Sequence, residues 1–193
     1  MKDRLRVLIA DDEGIQLLSL RAQLEHLEHE VVGVASDGQA AVDLALRLKP
    51  DLVIMDIKMP RLDGIDAARA INSERPVPIV LVTAYSEKQL AARAADAGIF
   101  AYLIKPVSEA DLLPAIILAT SRFDEFQLLK KGIEDLKEAL EARKLVEQAK
   151  GILMERRSYS EHEAFRMMQT RSQHENKKLV EIAKAIILAD KML

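Results

Sequence analysis

Four apolar runs in this sequence each end on a residue equipped for charge chemistry. "LIADDE" closes on Asp11, Asp12 and Glu13, "DLVIMD" on Asp56, "VLVT" on the hydroxyl of Thr83, and "YLIKP" carries Lys105. Three consecutive carboxylates repel one another, so such a cluster at the end of a buried strand calls for a positive partner. Carboxylate oxygens are hard ligands, and Mg2+ is a hard cation that takes one or two of them and keeps several waters. A bound cation offsets the repulsion between carboxylates and an incoming phosphoryl group. Asp56 can then attack phosphorus as a nucleophile and form an acyl phosphate. Lys105 is suited to neutralise one phosphoryl oxygen and Thr83 to hydrogen-bond another. Each residue alone has a plainer reading: an acid after a strand is often a helix N-cap, and a lysine usually sits on the surface. Their recurrence at successive strand ends singles them out.

That chemistry requires the strand ends to meet. Apolar runs at 6–10, 30–36, 50–56, 78–85 and 101–106 alternate with helical patterns at 14–29, 37–49, 63–74, 86–98 and 108–121. Ser86 with Gln89 and Ser108 with Asp111 read as capping boxes, and Gly98 closes its helix. In the first helix Ile15, Leu18, Leu24 and Leu27 are expected to face inward. The strands are apolar on both faces, as in a parallel sheet covered by helices on each side. The expected fold is α/β, a flavodoxin-like (βα)5 parallel sheet. Ligands of such sheets bind beyond the carboxyl ends of the strands, at the topological switch point.

Composition narrows the classes. The chain has 193 residues, 49% hydrophobic and 31% charged, enough for a core and for solubility. It has no run of 18 apolar residues and no leader-like N-terminus, so no membrane partner and no secretion are expected. The absence of cysteine excludes disulfides and thiolate metal sites, and suits a reducing, cytoplasmic setting. His26, His29, His162 and His174 are scattered rather than at ligand spacing. Net charge is −3 but uneven: residues 1–121 hold 13 Lys and Arg against 18 Asp and Glu, and residues 122–193 hold 15 against 13.

From about residue 109 the pattern stays helical. Phe126, Leu129, Ile133, Leu136 and Leu140 are spaced 3-4-3-4, a seam of about two heptads. Two readings remain open: an apolar face packed within the chain, or a helical stalk pairing with a second chain. Beyond it, Ser160 and Glu163 form a capping box. Phe165, Met167 and Met168 are expected to turn inward, and a last helix opens near Asn176 with Leu179, Ile182, Ala183 and Ile186 on one face. The expected domains are 1–121, a helical linker and candidate coiled coil at 122–140, and a small all-α three-helix bundle at 141–193.

These motifs, in this order, resemble a known family. Residues 5–120 resemble the receiver domain of two-component response regulators through "LIADDE", "DLVIMDIKMPRLDG", "VLVTAY" and "YLIKP". The resemblance implies that Asp56 is the phospho-acceptor and that a sensor histidine kinase is the partner. It implies that Asp11, Asp12 and Asp56 hold Mg2+ with the backbone carbonyl of Lys58, with Glu13 beside the site. Thr83 and Tyr102 would be the switch pair, ahead of Tyr85 as a competing aromatic. Lys105 would bind phosphate, with a cis Lys105–Pro106 bond. Such a protein is no enzyme on a separate substrate; it catalyses only its own phosphoryl transfer and hydrolysis.

Residues 136–190 resemble the ANTAR domain of transcription antiterminators through "LEARKLVEQAKGILMERRSYSEHEAF", Ser172 and "NKKLVEIA", with Ala149, Gly151, Ala164 and Phe165 at constrained positions. Gln169 departs from the basic residue common there. The resemblance implies that phosphorylation promotes a homodimer that grips RNA hairpin loops and causes antitermination. Candidate RNA contacts are Arg143, Lys144, Lys150, Gly151, Arg156, Arg157, Lys177 and Lys178, although charge alone is equally that of a solvated face. A tail that binds a partner protein is the alternative; a DNA-binding output lacks a helix-turn-helix turn.

Overall fold

The computed structural model describes residues 4–84 and 99–191. The expected helix at 86–98, with its cap and closing glycine, and Tyr85 lie outside the described residues. The chain divides into two compact units, Met1–Gln127 and Leu128–Leu193.

In the first unit β1 (Arg6–Ala10), β2 (Glu30–Ala35), β3 (Leu52–Asp56), β4 (Ile79–Thr83) and β5 (Ala101–Ile104) form one parallel sheet in the order β2-β1-β3-β4-β5. Successive side chains of a strand point to opposite faces. Leu8, Val53, Met55 and Leu81 therefore pack on one side, with α2 (Gly38–Leu48) and α3 (Gly64–Glu74). Val7, Ile9, Ile54 and Val80 pack on the other, with α1 (Gly14–His26) and the start of α4 (Glu109–Arg157). Burial on both faces explains the unbroken apolar runs of the three central strands. The edge strands β2 and β5 are more exposed, and β5 alternates between half-buried and exposed residues.

The inward face of α1 differs from the expected one. Leu20 and Leu24 are buried and Leu17 and Leu27 half-buried, whereas Ile15 is 81% and Leu18 70% exposed. Ile15, Leu17, Leu18 and Leu20 crowd one and a half turns, so spacing alone did not fix which stripe faces the sheet.

The second unit packs the end of α4 against α5 (Glu161–Glu175) and α6 (Leu179–Lys191) around Ala149, Leu153, Ala164, Met168, Ile182, Ala183 and Ile187. The Ser160–Glu163 capping box forms in full. Asn176 does not open α6; it ends α5 in the left-handed region, at φ 50°. Helix α4 is one continuous element of 49 residues and runs unbroken through 121 and 140. Its seam residues Phe126, Leu129, Ile133, Leu136 and Leu140 are all more than half exposed, with Phe126 tilted against the Phe100 ring, centroids 5.9 Å apart. Among the described residues no helix is long and apolar enough to cross a membrane.

The phase of α1 is testable by urea denaturation of the full chain. Leu24→Ala should cost about 3 kcal/mol, and Ile15→Ala no more than about 0.5 kcal/mol. Equal losses would place the inward stripe elsewhere.

Candidate metal and phospho-acceptor site

The register of the central strands aligns the chemistry. Ala10 pairs with Met55, Asp56 with Val82, and Thr83 with Ile104. The residues after β1, at the ends of β3 and β4, and after β5 therefore share one edge of the sheet. One carboxylate oxygen each from Asp11, Asp12 and Asp56 lies within 4.8 Å of the others. The Lys105 ammonium is 2.8 Å from Asp11 Oδ2, 3.3 Å from Asp56 Oδ2 and 3.7 Å from Glu13 Oε1. Asp11, Asp56 and Thr83 are buried, while Asp12 lies at the open rim. Glu13 stays at the edge, its backbone N–H donating to Asp11 Oδ1 at 2.9 Å.

Electrostatics there favour a further cation. Burial pushes the Asp56 carboxyl above the ordinary aspartate range; the Lys105 ammonium pulls it down, Asp11 pushes it up, and the net shift is upward. Burial would lower the Lys105 ammonium, yet hydrogen bonding to Asp11 and the charges of both aspartates hold it raised. The Lys105 ammonium thus does not offset the burial of Asp56. Such an all-oxygen donor set fits Mg2+.

Lys58 sits on the exposed loop two residues past Asp56, between buried Ile57 and Met59. Tyr102 is 55% exposed on β5 and pairs with Leu81 of β4, two residues before the buried Thr83. The Lys105–Pro106 bond is cis. The sequence reading missed two supports. Gln23 of α1 donates from Nε2 to Val107 O at 3.2 Å, just past Lys105. Asp37, after β2, is 2% exposed and ion-paired with Arg61 of the loop that follows Asp56.

In the helical unit the basic candidates separate. The Lys150 ammonium is 2.8 Å from Glu147 and 2.7 Å from Glu161 and lies over the Phe165 ring, 6.0 Å from its centroid. Its side chain is 10% exposed, so it ties α4 to α5 rather than facing solvent. Lys144 pairs with Glu141, Arg156 with Asp190 and Lys177 with Glu175. Arg143, Arg157 and Lys178 are exposed, with no ion pair among the described residues. Gly151 is half-buried, and a Cβ there would meet open space. Ser172 Oγ donates to Lys177 O at 2.6 Å and pins the turn between α5 and α6. Arg166, absent from the sequence candidates, lines an open groove of about 550 Å3 with Tyr159 and His174.

Residues 7–117 match the response regulator receiver domain, and residues 134–187 match the ANTAR domain. The chain belongs to the response regulators and joins a receiver domain to an ANTAR domain. It is similar to the transcriptional regulatory protein PdtaR of Mycobacterium tuberculosis, with 49% identity over 182 residues, 94% of this chain and 89% of that protein. Among solved structures it is similar to the signal receiver domain of a modulated diguanylate cyclase from Desulfovibrio desulfuricans. That likeness has a TM-score of 0.59 and 33% identity, over 63% of this chain and 98% of that one. It is also similar to the CheX–CheY–BeF3–Mg2+ complex from Borrelia burgdorferi, with a TM-score of 0.56 and 25% identity, over 58% of this chain and 86% of that one.

Glu175 yields a pH prediction. Lys177 and Arg171 hold its carboxyl down at about 2, against an ordinary 4.5. A depressed carboxyl contributes stability that is whole above its unfolded value and is lost as pH falls through the folded one. Melting of the helical unit, followed by circular dichroism, should therefore become easier as pH drops from about 4.5 toward about 2. Glu175→Gln should flatten that dependence; an unchanged profile would contradict the pairing.

Proposed function

We propose that this response regulator takes a phosphoryl group on Asp56 from a partner histidine kinase and, once phosphorylated, pairs and binds RNA hairpin loops to cause transcription antitermination. The observation that carries the reading is the position of Lys105, within hydrogen-bonding reach of both Asp11 and Asp56 at one sheet edge. An Asp56 carboxylate oxygen attacks phosphorus and a new O–P bond forms. The donor's P–N bond breaks, and the histidine nitrogen keeps the bonding pair. Lys105 neutralises charge on the phosphoryl oxygens and Thr83 hydrogen-bonds one of them. Asp11, Asp12, Asp56 and the Lys58 carbonyl would hold Mg2+, which offsets the repulsion between the incoming phosphoryl group and the carboxylates.

The switch is a population shift. Movement of the Thr83 hydroxyl toward the phosphoryl group opens space beside β5, and the Tyr102 ring, now exposed, turns into it. The exposed seam of α4 then meets the seam of a second copy. Pairing places two ANTAR units on two loops, where Arg143, Arg157 and Lys178 have charge to spare for phosphates. Hairpin loops are the suitable targets because their unstacked bases can be read.

Gel-shift titration of a two-hairpin leader RNA tests this, with an acyl-phosphate donor and Mg2+ present or absent. Donor treatment should tighten wild-type binding by roughly tenfold, the usual scale of allosteric coupling, and yield dimers in sedimentation. Asp56→Ala should show neither change. Equal dimerisation and RNA binding by treated wild type and Asp56→Ala would contradict the phospho-switch. Binding insensitive to salt and loop sequence would favour a partner protein as the target of the tail.

A further inference from the structure

Four strand ends supply the pocket, and the fifth strand contributes differently. Strand β2 leads through Ser36 to Asp37, which starts α2. The Asp37 side chain accepts from Ala40 N at 2.9 Å as an N-cap, and its other oxygen meets the Arg61 guanidinium. Hydrogen bonding to Ala40, then the Arg61 charge, outweighs burial and holds its carboxyl below the usual range. Asp37 is therefore a buried side chain whose charged form is favoured by its partners.

Arg61 belongs to the 57–63 loop, which leaves β3 directly after Asp56. The loop closes where Gly64 N donates to Ile57 O at 2.8 Å, and buried Ile57 and Met59 anchor its base. At its tip Leu62 packs, partly buried, on the same core, while Arg61 is exposed. There Arg61 takes a left-handed conformation, φ 66°, which glycine would adopt with less strain. At that tip α2 touches the loop twice. Arg61 reaches Asp37, and Gly38 packs so closely on Leu62 that a Cβ would overlap the Leu62 carbonyl oxygen.

We propose that Asp37 and Arg61 form a clamp that makes the N-terminus of α2 a positioning element of the metal site, fixing the loop on which the Lys58 carbonyl is carried. The inference rests on the reading of the acidic pocket as an Mg2+ site. Neither residue touches the metal or Asp56. Each acts through the loop backbone, as residues behind metal ligands commonly do. Breaking the pair frees the tip while Asp11, Asp12 and Asp56 stay on their strand ends, so Mg2+ affinity falls and the sheet does not.

Titration calorimetry of the full chain with MgCl2 tests the clamp. Asp37→Asn keeps an N-capping side chain and loses the charge. Arg61→Gln changes a side chain that is 66% exposed, so folding is not at stake. Each should weaken Mg2+ binding roughly tenfold, the lower end for residues behind metal ligands. The double variant should be no weaker than either single one, because the pair acts as a unit. Arg61→Gly should lose affinity equally although it relieves the backbone. Amide hydrogen exchange in EDTA should quicken across 57–63 and stay unchanged in β1 and β3. If wild type binds Mg2+ and Arg61→Gln binds it as tightly, or if the two losses add, the clamp is overturned and the pocket reading survives. If wild type takes up no Mg2+, both are overturned.

Discussion

Negative charge in excess at one edge of a buried sheet is the constraint from which the rest of this molecule follows. Three aspartates converge there, and Lys105 reaches two of them, Asp11 and Asp56. The parallel register leaves no alternative, because it delivers the end of β3 and the residues after β1 and β5 to the same edge. Burial makes the imbalance matter, since charges removed from water interact more strongly and cost more to leave unpaired. Burial holds the Asp56 carboxyl above the usual aspartate range even with an ammonium 3.3 Å away. A pocket so arranged is suited to a cation and, on the reading proposed above, to a phosphoryl group.

How the sheet builds that edge was largely legible in the sequence, for a physical reason. Strands buried on both faces must be apolar throughout, so the residue where each run breaks marks the edge. Helix α1 was harder: with apolar residues around most of its first turns, Ile15 and Leu18 looked as fit for the core as Leu20 and Leu24. Asn176 was misplaced because asparagine serves both at helix starts and in the left-handed residue after a helix end. Asp37 and Arg61 were invisible as a pair. They lie 24 residues apart, and neither motif carries a local sign of the other.

The helical unit shows where charge counting falls short. Lys150 reads as one more cation in the sequence, yet it spends its ammonium on Glu147 and Glu161 while Phe165 lies beneath it. Helical spacing does place Glu147 within reach, but Glu161 arrives only by tertiary packing. By contrast, Arg143, Arg157 and Lys178 keep their charge on the surface, and the α4 seam keeps its leucines there. Exposed apolar side chains at heptad spacing are what a pairing helix presents before its partner arrives.

The most direct test of the central claim is peptide mass spectrometry of the full chain after incubation with an acyl-phosphate donor and Mg2+. The account predicts a single alkali-labile phosphoryl adduct, on the peptide that carries Asp56, lost when Mg2+ is chelated before the donor is added. An adduct on any other residue, or none while the donor is consumed elsewhere, would contradict it.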